Sequence, residues 1–432
     1  MHIAGMLDRS TAPAARRPSL PKLRRPETEF LANGIELSTF LSIEQGITVL
    51  ELLFPAATLD AATRQREGYL FRMLGEGTKE KTAKQLADAI SFLGASLEFS
   101  HNADFDSIQI SCLPRFFQPM LRILEEIWLE PMFPEKEWKT IQETQIHQNG
   151  IQLQKTSFLA GRLLKDKLYS SKLDYGYSTD VALIESIKRE EFSNLFEKTR
   201  TIGPALALVS GAVNDNDIKI LRNWLGSFNN CRQINRQTDF ALPTFTPGVF
   251  WAEKPESNQT SLRIGQFAID SRNSDSALFG LTLEIFGGYF GSRLMSNIRE
   301  DKGWTYGVYA QRVPFAAKPH WVISCDINSE SSLKALEEIK KESEIMQQEP
   351  VGEEELEKVK NYMLGQFLSS VTNVFEIADR YRSVWANGTD FNRVEENQRI
   401  IREASAQQIL ETSGKYLNLT NTITCLSGKI PD

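Results

Sequence analysis

The residues most able to do chemistry together lie in one run, Gly287-Gly-Tyr-Phe-Gly-Ser-Arg-Leu-Met-Ser-Asn-Ile-Arg-Glu-Asp-Lys-Gly-Trp-Thr-Tyr306. It holds a guanidinium at Arg299 and a phenol at Tyr306, two strong hydrogen-bond donors. The run reads as a glycine turn, a short helix and the start of a strand. Gly303 suits the left-handed residue that ends such a helix, and Arg299 and Lys302 suit its negative end. This spacing places one cation beside one phenol, and ordinary helix-end chemistry accounts for the arginine equally well. The glycines at 287, 288 and 291 read as a packing turn, since no Lys-Ser/Thr follows to make a phosphate loop. Glu143 and His147 are one helical turn apart, half of a metal site in geometry, and read as a solvated helix face. The chain has no Gly-x-Ser-x-Gly elbow.

The elements that must position these groups follow an α/β pattern. Thr82 and Gln85 have the spacing of a capping box, Leu86, Ile90 and Leu93 follow a helical period, and Gly94 closes the helix. Ile108, Ile110 and Cys112 alternate with polar residues as a strand with one buried face. Ile110-Ser-Cys112 followed by Leu124-Glu-Glu-Ile127 returns as Ile323-Ser-Cys325 followed by Leu336-Glu-Glu-Ile339. Leu208-Val-Ser-Gly211 returns as Cys425-Leu-Ser-Gly428. An offset of about 210 residues is far longer than a solenoid period and indicates a duplicated domain. We expect an α+β fold of two related α/β-roll domains, each a sheet with helices mainly on one face. The expected divisions are an extended basic, Pro-rich arm at 1–28, a first domain at 29–235, a linker at 236–248 and a second domain at 249–432.

At 432 residues, 41% hydrophobic and 24% charged, the chain has the composition of a globular protein of more than one domain. No stretch approaches the ~20 apolar residues of a membrane span. The formal net charge of −7 argues against a nucleic-acid partner. Four scattered cysteines read as buried apolar groups in a reducing compartment. The arginine-rich start has the composition of a mitochondrial presequence, but its prolines bar the amphipathic helix, and a cytoplasmic address is expected.

The Gly-Gly, Ser-Arg-Leu and Arg-Glu-x-x-Gly-x-x-Tyr order resembles the C-terminal-half signature of the pitrilysin/insulinase-type zinc metallopeptidases. The resemblance covers roughly residues 28–429 and is strongest at 287–306. It implies half of a clamshell, with Arg299 and Tyr306 reaching the substrate backbone near zinc and donating to the carbonyl oxygen as its charge develops, and Arg293 in contact with substrate, in a structural salt bridge or at a helix N-terminus. Active members carry His-x-x-Glu-His ahead of a Gly-Thr, where two histidines hold zinc and the glutamate activates water. Here Gly77-Thr78 sets the register and places Gly68, Phe71 and Arg72 at the three functional positions, so no metal is expected in this chain. The resemblance therefore implies a metal-free subunit of a heterodimeric peptidase, with zinc in a homologous partner, acting on peptides only in complex. The alternative is a scaffold with the same fold, similar to core subunits of respiratory complexes.

Overall fold

The computed structural model describes residues 19–232 and 246–430. Positions 1–18 of the expected arm and 236–245 of the expected linker lie outside the described residues. The first sheet holds β1 (Glu27–Phe30), β2 (Glu36–Leu41), β3 (Thr48–Pro55), β4 (Ser96–His101), β5 (Phe105–Cys112) and β7 (Leu206–Gly211), in the order β1-β2-β7-β3-β5-β4. Short β6 (Ile202–Gly203) and β8 (Asn230–Cys231) pair separately. The second sheet holds β9 (Gly248–Glu253), β10 (Gln259–Phe267), β11 (Thr305–Val313), β12 (His320–Asn328) and β13 (Ile423–Gly428), in the order β11-β12-β10-β13-β9. Apart from β1, the two orders are the same, and each sheet has its one parallel pair at the same place, β2 with β7 and β9 with β13. The sequence echoes fall on corresponding strands: Ile110–Cys112 in β5 and Ile323–Cys325 in β12, Leu208–Gly211 in β7 and Cys425–Gly428 in β13.

Each sheet is roofed on one face by helices of its own half. Leu124 and Ile127 of the helix Phe117–Leu129 pack with Leu50, Leu52, Ile108 and Ile110 in one core. Leu336 and Ile339 of the helix Ser332–Gln348 pack with Leu262, Ile264, Ile323 and Cys325 in the other. Every residue of β7 and of β13 is buried, however, so the second face of each sheet also needs a cover. The other half supplies it. The helix Thr156–Tyr169 lies across β10, β13 and β9, with Leu164, Leu168 and Tyr169 against Val322, Ile423 and Cys425. Gly265 lets it approach, since a Cβ there would stand 3.2 Å from a Leu164 methyl. In return the helix Val374–Ala386 covers β2 and β7, with Val374, Ala378 and Val384 against Phe40, Leu206 and Leu208. Burying one such side chain is worth about 1.5–3 kcal/mol, so neither half keeps both sheet faces dry alone.

The described part of the basic arm lies on its own chain. Leu23 is buried, its amide donates to Glu395 Oε1 (3.1 Å), and Arg25 donates to Asn392 and Glu395. Among the described residues no helix is long and apolar enough to cross a membrane.

His320 sits at the seam between the halves, 3% exposed. The Tyr169 hydroxyl donates to the Lys318 carbonyl (2.8 Å), so it accepts from His320 Nδ1 (2.9 Å). Burial, helped by the Lys165 charge, lowers the His320 pKa to about 4. An imidazole that resists protonation when folded contributes stability above its unfolded pKa of about 6.5, lost as pH falls toward 4. Urea unfolding at about pH 7 and about pH 4 is expected to cost the wild type about 3 kcal/mol more than His320→Gln over that interval. Parallel pH profiles for the two proteins would mean that His320 is not held neutral.

Candidate functional site

Gly68, Phe71 and Arg72 lie on the helix Ala61–Leu74, which starts at Asp60, whose carboxylate caps the Thr63 amide (2.9 Å). Phe71 is 6% exposed and its ring meets Phe54 edge-on at 5.4 Å between centroids. Arg72 faces solvent, near Glu76, whose carboxyl is raised by burial against the pull of the Arg72 charge. Gly68 leaves a notch, and the His101 ring of β4 fills it: a Cβ at 68 would stand 2.6 Å from His101 Cδ2.

One turn earlier, the Arg64 side chain is fully buried. It donates to Asp106 through both terminal nitrogens (3.0 and 3.1 Å), to the Asn102 carbonyl (2.7 Å) and to Glu67. His101 Nδ1 donates to Asp106 Oδ1 at 2.6 Å, and Arg232 stands 3.5 Å from the same carboxylate. Burial pushes the Asp106 carboxyl up, but the hydrogen bond from His101 and the charge of Arg64 outweigh it and hold it below its ordinary value. An ion-paired cluster thus occupies the space beside Gly68. Among the described residues no group of three His, Cys, Asp or Glu could hold a metal, and Glu143 and His147 are both exposed on the helix Glu135–Gln152. Gly68, Phe71 and Arg72 offer no side chain that binds zinc.

The helix Ser276–Leu283 runs on into a π-helical turn at Glu284–Gly288, and a second π-helical segment, Met295–Asp301, carries Arg299. The glycine pair therefore closes the first helix, and the turn itself falls on Tyr289–Gly291. The reason is space: a Cβ at Gly287 would stand 2.8 Å from that of Ala310 on β11. Gly303 is left-handed, φ +67°, as its position implied. The Arg299 guanidinium lies over the Phe290 ring, 4.3 Å from its centroid, and 4.0 Å from Glu300.

Tyr306 is aimed by a β-bulge. Thr305 pairs with Ile327 and Val308 with Cys325, which leaves one extra residue on β11. The Gly307 amide donates to Thr305 Oγ1 (3.1 Å), which donates to the Asp326 carbonyl (2.7 Å), and Tyr306 is left 91% exposed. Among the described residues no hydrogen bond or ring contact joins Arg299 to Tyr306.

Residues 186–363 match the family model of the peptidase M16 inactive domain. Over this stretch the chain is similar to the M16 peptidases. It is 20% identical over 304 residues to an uncharacterized zinc protease, YmxG, of Bacillus subtilis, covering 70% of this chain and 73% of that one. It is 24% identical over 306 residues to the non-peptidase homolog YmxG of Helicobacter pylori, covering 68% of each. In structure it is similar to a peptidase M16 inactive domain from Pseudomonas fluorescens, with a TM-score of 0.82 at 22% identity over 94% of this chain and 98% of that one. A protease from Helicobacter pylori gives a TM-score of 0.77 at 14% identity, over 94% of this chain and all of that one.

Arg293 makes a salt bridge within the chain. Its Nε and Nη2 each lie 2.9 Å from the Glu355 carboxylate, which raises the Arg293 pKa. Sequence reasoning missed the surroundings of Tyr306, a cleft of about 390 Å³ lined also by Arg263, Tyr309, Ser324 and Asp326. Tyr306 and Tyr309 are an odd number of residues apart, which puts them on opposite faces of a regular strand. The bulge cancels that alternation, and only the pairing register shows it.

Proposed function

We propose that this chain is the metal-free subunit of a heterodimeric zinc metallopeptidase. It supplies Arg299 and Tyr306 for peptide binding and transition-state stabilisation to a homologous partner chain that carries His-x-x-Glu-His. Bound there, zinc would polarise the scissile carbonyl and activate the attacking water. This chain's part is to aim two donors at the oxygen as its charge develops. The observation that carries the reading is a contrast: a bulge holds the Tyr306 phenol out in solvent, while Gly68, Phe71 and Arg72 on the helix Ala61–Leu74 offer no metal ligand. In this reading 29–235 and 249–432 act as two peptidase-like domains joined by 236–248, with 1–28 as an arm. The four buried free cysteines support a reducing, cytoplasmic setting.

Mixing tests it. The chain alone is expected to hold no stoichiometric zinc and to cleave no peptide. With a zinc-bearing homologue from the same cell it is expected to co-elute in size-exclusion chromatography at micromolar concentration and to cleave. Separate elution would end the heterodimer reading, and co-elution without any gain in turnover would favour the scaffold.

A further inference from the structure

Arg263, Ser324 and Asp326 project from the same face of the second sheet. Arg263 lies between Ser261 and Gly265 in β10, the first bonded to Thr156 and the second under Leu164, so this face is the one the helix Thr156–Tyr169 partly roofs. Beyond that roof the cleft opens, about 390 Å³ in volume, large enough for one or two residues of a peptide. Arg263 is well placed and only 14% exposed. Its Nη1 alone donates to the Leu262 carbonyl (2.8 Å), the Cys325 carbonyl (3.2 Å) and Asp326 Oδ1 (3.2 Å). Nε and Nη2 have no protein acceptor among the described residues. One nitrogen therefore fixes the guanidinium plane while the opposite edge keeps a two-donor fork, the geometry that matches a carboxylate. The hydroxyls of Ser324, Tyr306 and Tyr309 line the same cleft and donate to no protein group among the described residues. The acceptor in the cleft, Asp326, is already matched by Arg263 Nη1.

We infer that this cleft is a subsite for a carboxylate presented by a peptide, either its C-terminus or an acidic side chain, gripped by Arg263 and Ser324 between the two tyrosine rings. The inference rests on the reading of this chain as a peptide-handling subunit, but binding by the isolated full-length chain tests it without catalysis. The probe is a neutral octapeptide labelled at its N-terminus, made as the free acid, as the C-terminal amide, and as the amide with one internal glutamate. Charge-assisted bonds of this kind are worth on the order of tenfold in affinity, so fluorescence anisotropy is expected to show that preference over the neutral amide. Preference for the free acid alone identifies a C-terminus; preference for the internal glutamate identifies a side chain. Arg263→Met is expected to abolish the preference, Arg263→Lys to leave a fraction of it because the fork is lost, and Asp326→Asn to strengthen it. Should Arg263→Met unfold by circular dichroism, Ser324→Ala and Arg263→Lys carry the test. Equal binding of all three peptides, no binding of any, or a full preference in the Arg263 variants overturns the inference. Carboxylate selectivity without turnover in the mixed complex would remove the subunit proposal and leave the cleft; turnover without selectivity would do the reverse.

Discussion

Replacing Arg299 by alanine, or Tyr306 by phenylalanine, is expected to lower kcat of the assembled peptidase on the order of 100-fold, or about 3 kcal/mol. Both groups can be removed without disturbing the fold. Tyr306 is 91% exposed, so the loss of its hydroxyl breaks no bond among the described residues. Arg299 loses its position over the Phe290 ring, worth about 0.5–1 kcal/mol at an exposed site, and a surface pair with Glu300 worth about as little. Assembly and the partner's zinc content should therefore stay at wild-type levels, which attributes the loss to the reacting carbonyl. A role in binding alone would raise KM and preserve kcat. Arg293→Ala is the control: it breaks the fork to Glu355 and is expected to lower the melting temperature more than the turnover. Wild-type kinetics for both the Arg299 and the Tyr306 variants would remove the catalytic reading and leave a scaffold.

Arg64→Ala is expected to cost about 3–5 kcal/mol of folding stability, the largest effect of any single change proposed for this chain. The guanidinium is buried, and its removal leaves Asp106 and Glu67 as two buried carboxylates facing one cation, Arg232, at 3.5 and 4.0 Å. A loss below about 1 kcal/mol in urea unfolding would show that the cluster is solvated and not a sealed plug. The same geometry forecasts the fate of a restored motif. Gly68→His, Phe71→Glu and Arg72→His together should not yield a chain with one equivalent of tightly held zinc. The new Cβ at 68 meets the His101 ring at 2.6 Å, and a glutamate at 71 enters the apolar core beside Phe54. Metal analysis of the triple variant decides the point.

Much of this was legible in the sequence because it depends on residues close in the chain. The Thr82–Gln85 capping box and the left-handed Gly303 are both present, since caps and αL residues are set by their own φ/ψ and nearest neighbours. The alternation at Phe105–Cys112 is a strand with its apolar residues inward. The 210-residue echo became two sheets of one strand order because the same local pattern folds the same way twice.

That Gly68, Phe71 and Arg72 offer no zinc ligand also follows from residue types alone. Tertiary structure alone decided what surrounds them. His101 is far from Gly68 in sequence, and only the approach of β4 to the motif helix seats its ring in the glycine notch. Long-range burial likewise decided that each half lends a helix to the other, because β7 and β13 are apolar on both faces and their own halves cover one. The direction of Tyr306 was set by register: one extra residue on β11 relative to β12 turns the phenol out and brings Tyr309 and Arg263 beside it. A bulge is a mismatch between two strands, and a single strand's sequence does not contain its partner's count.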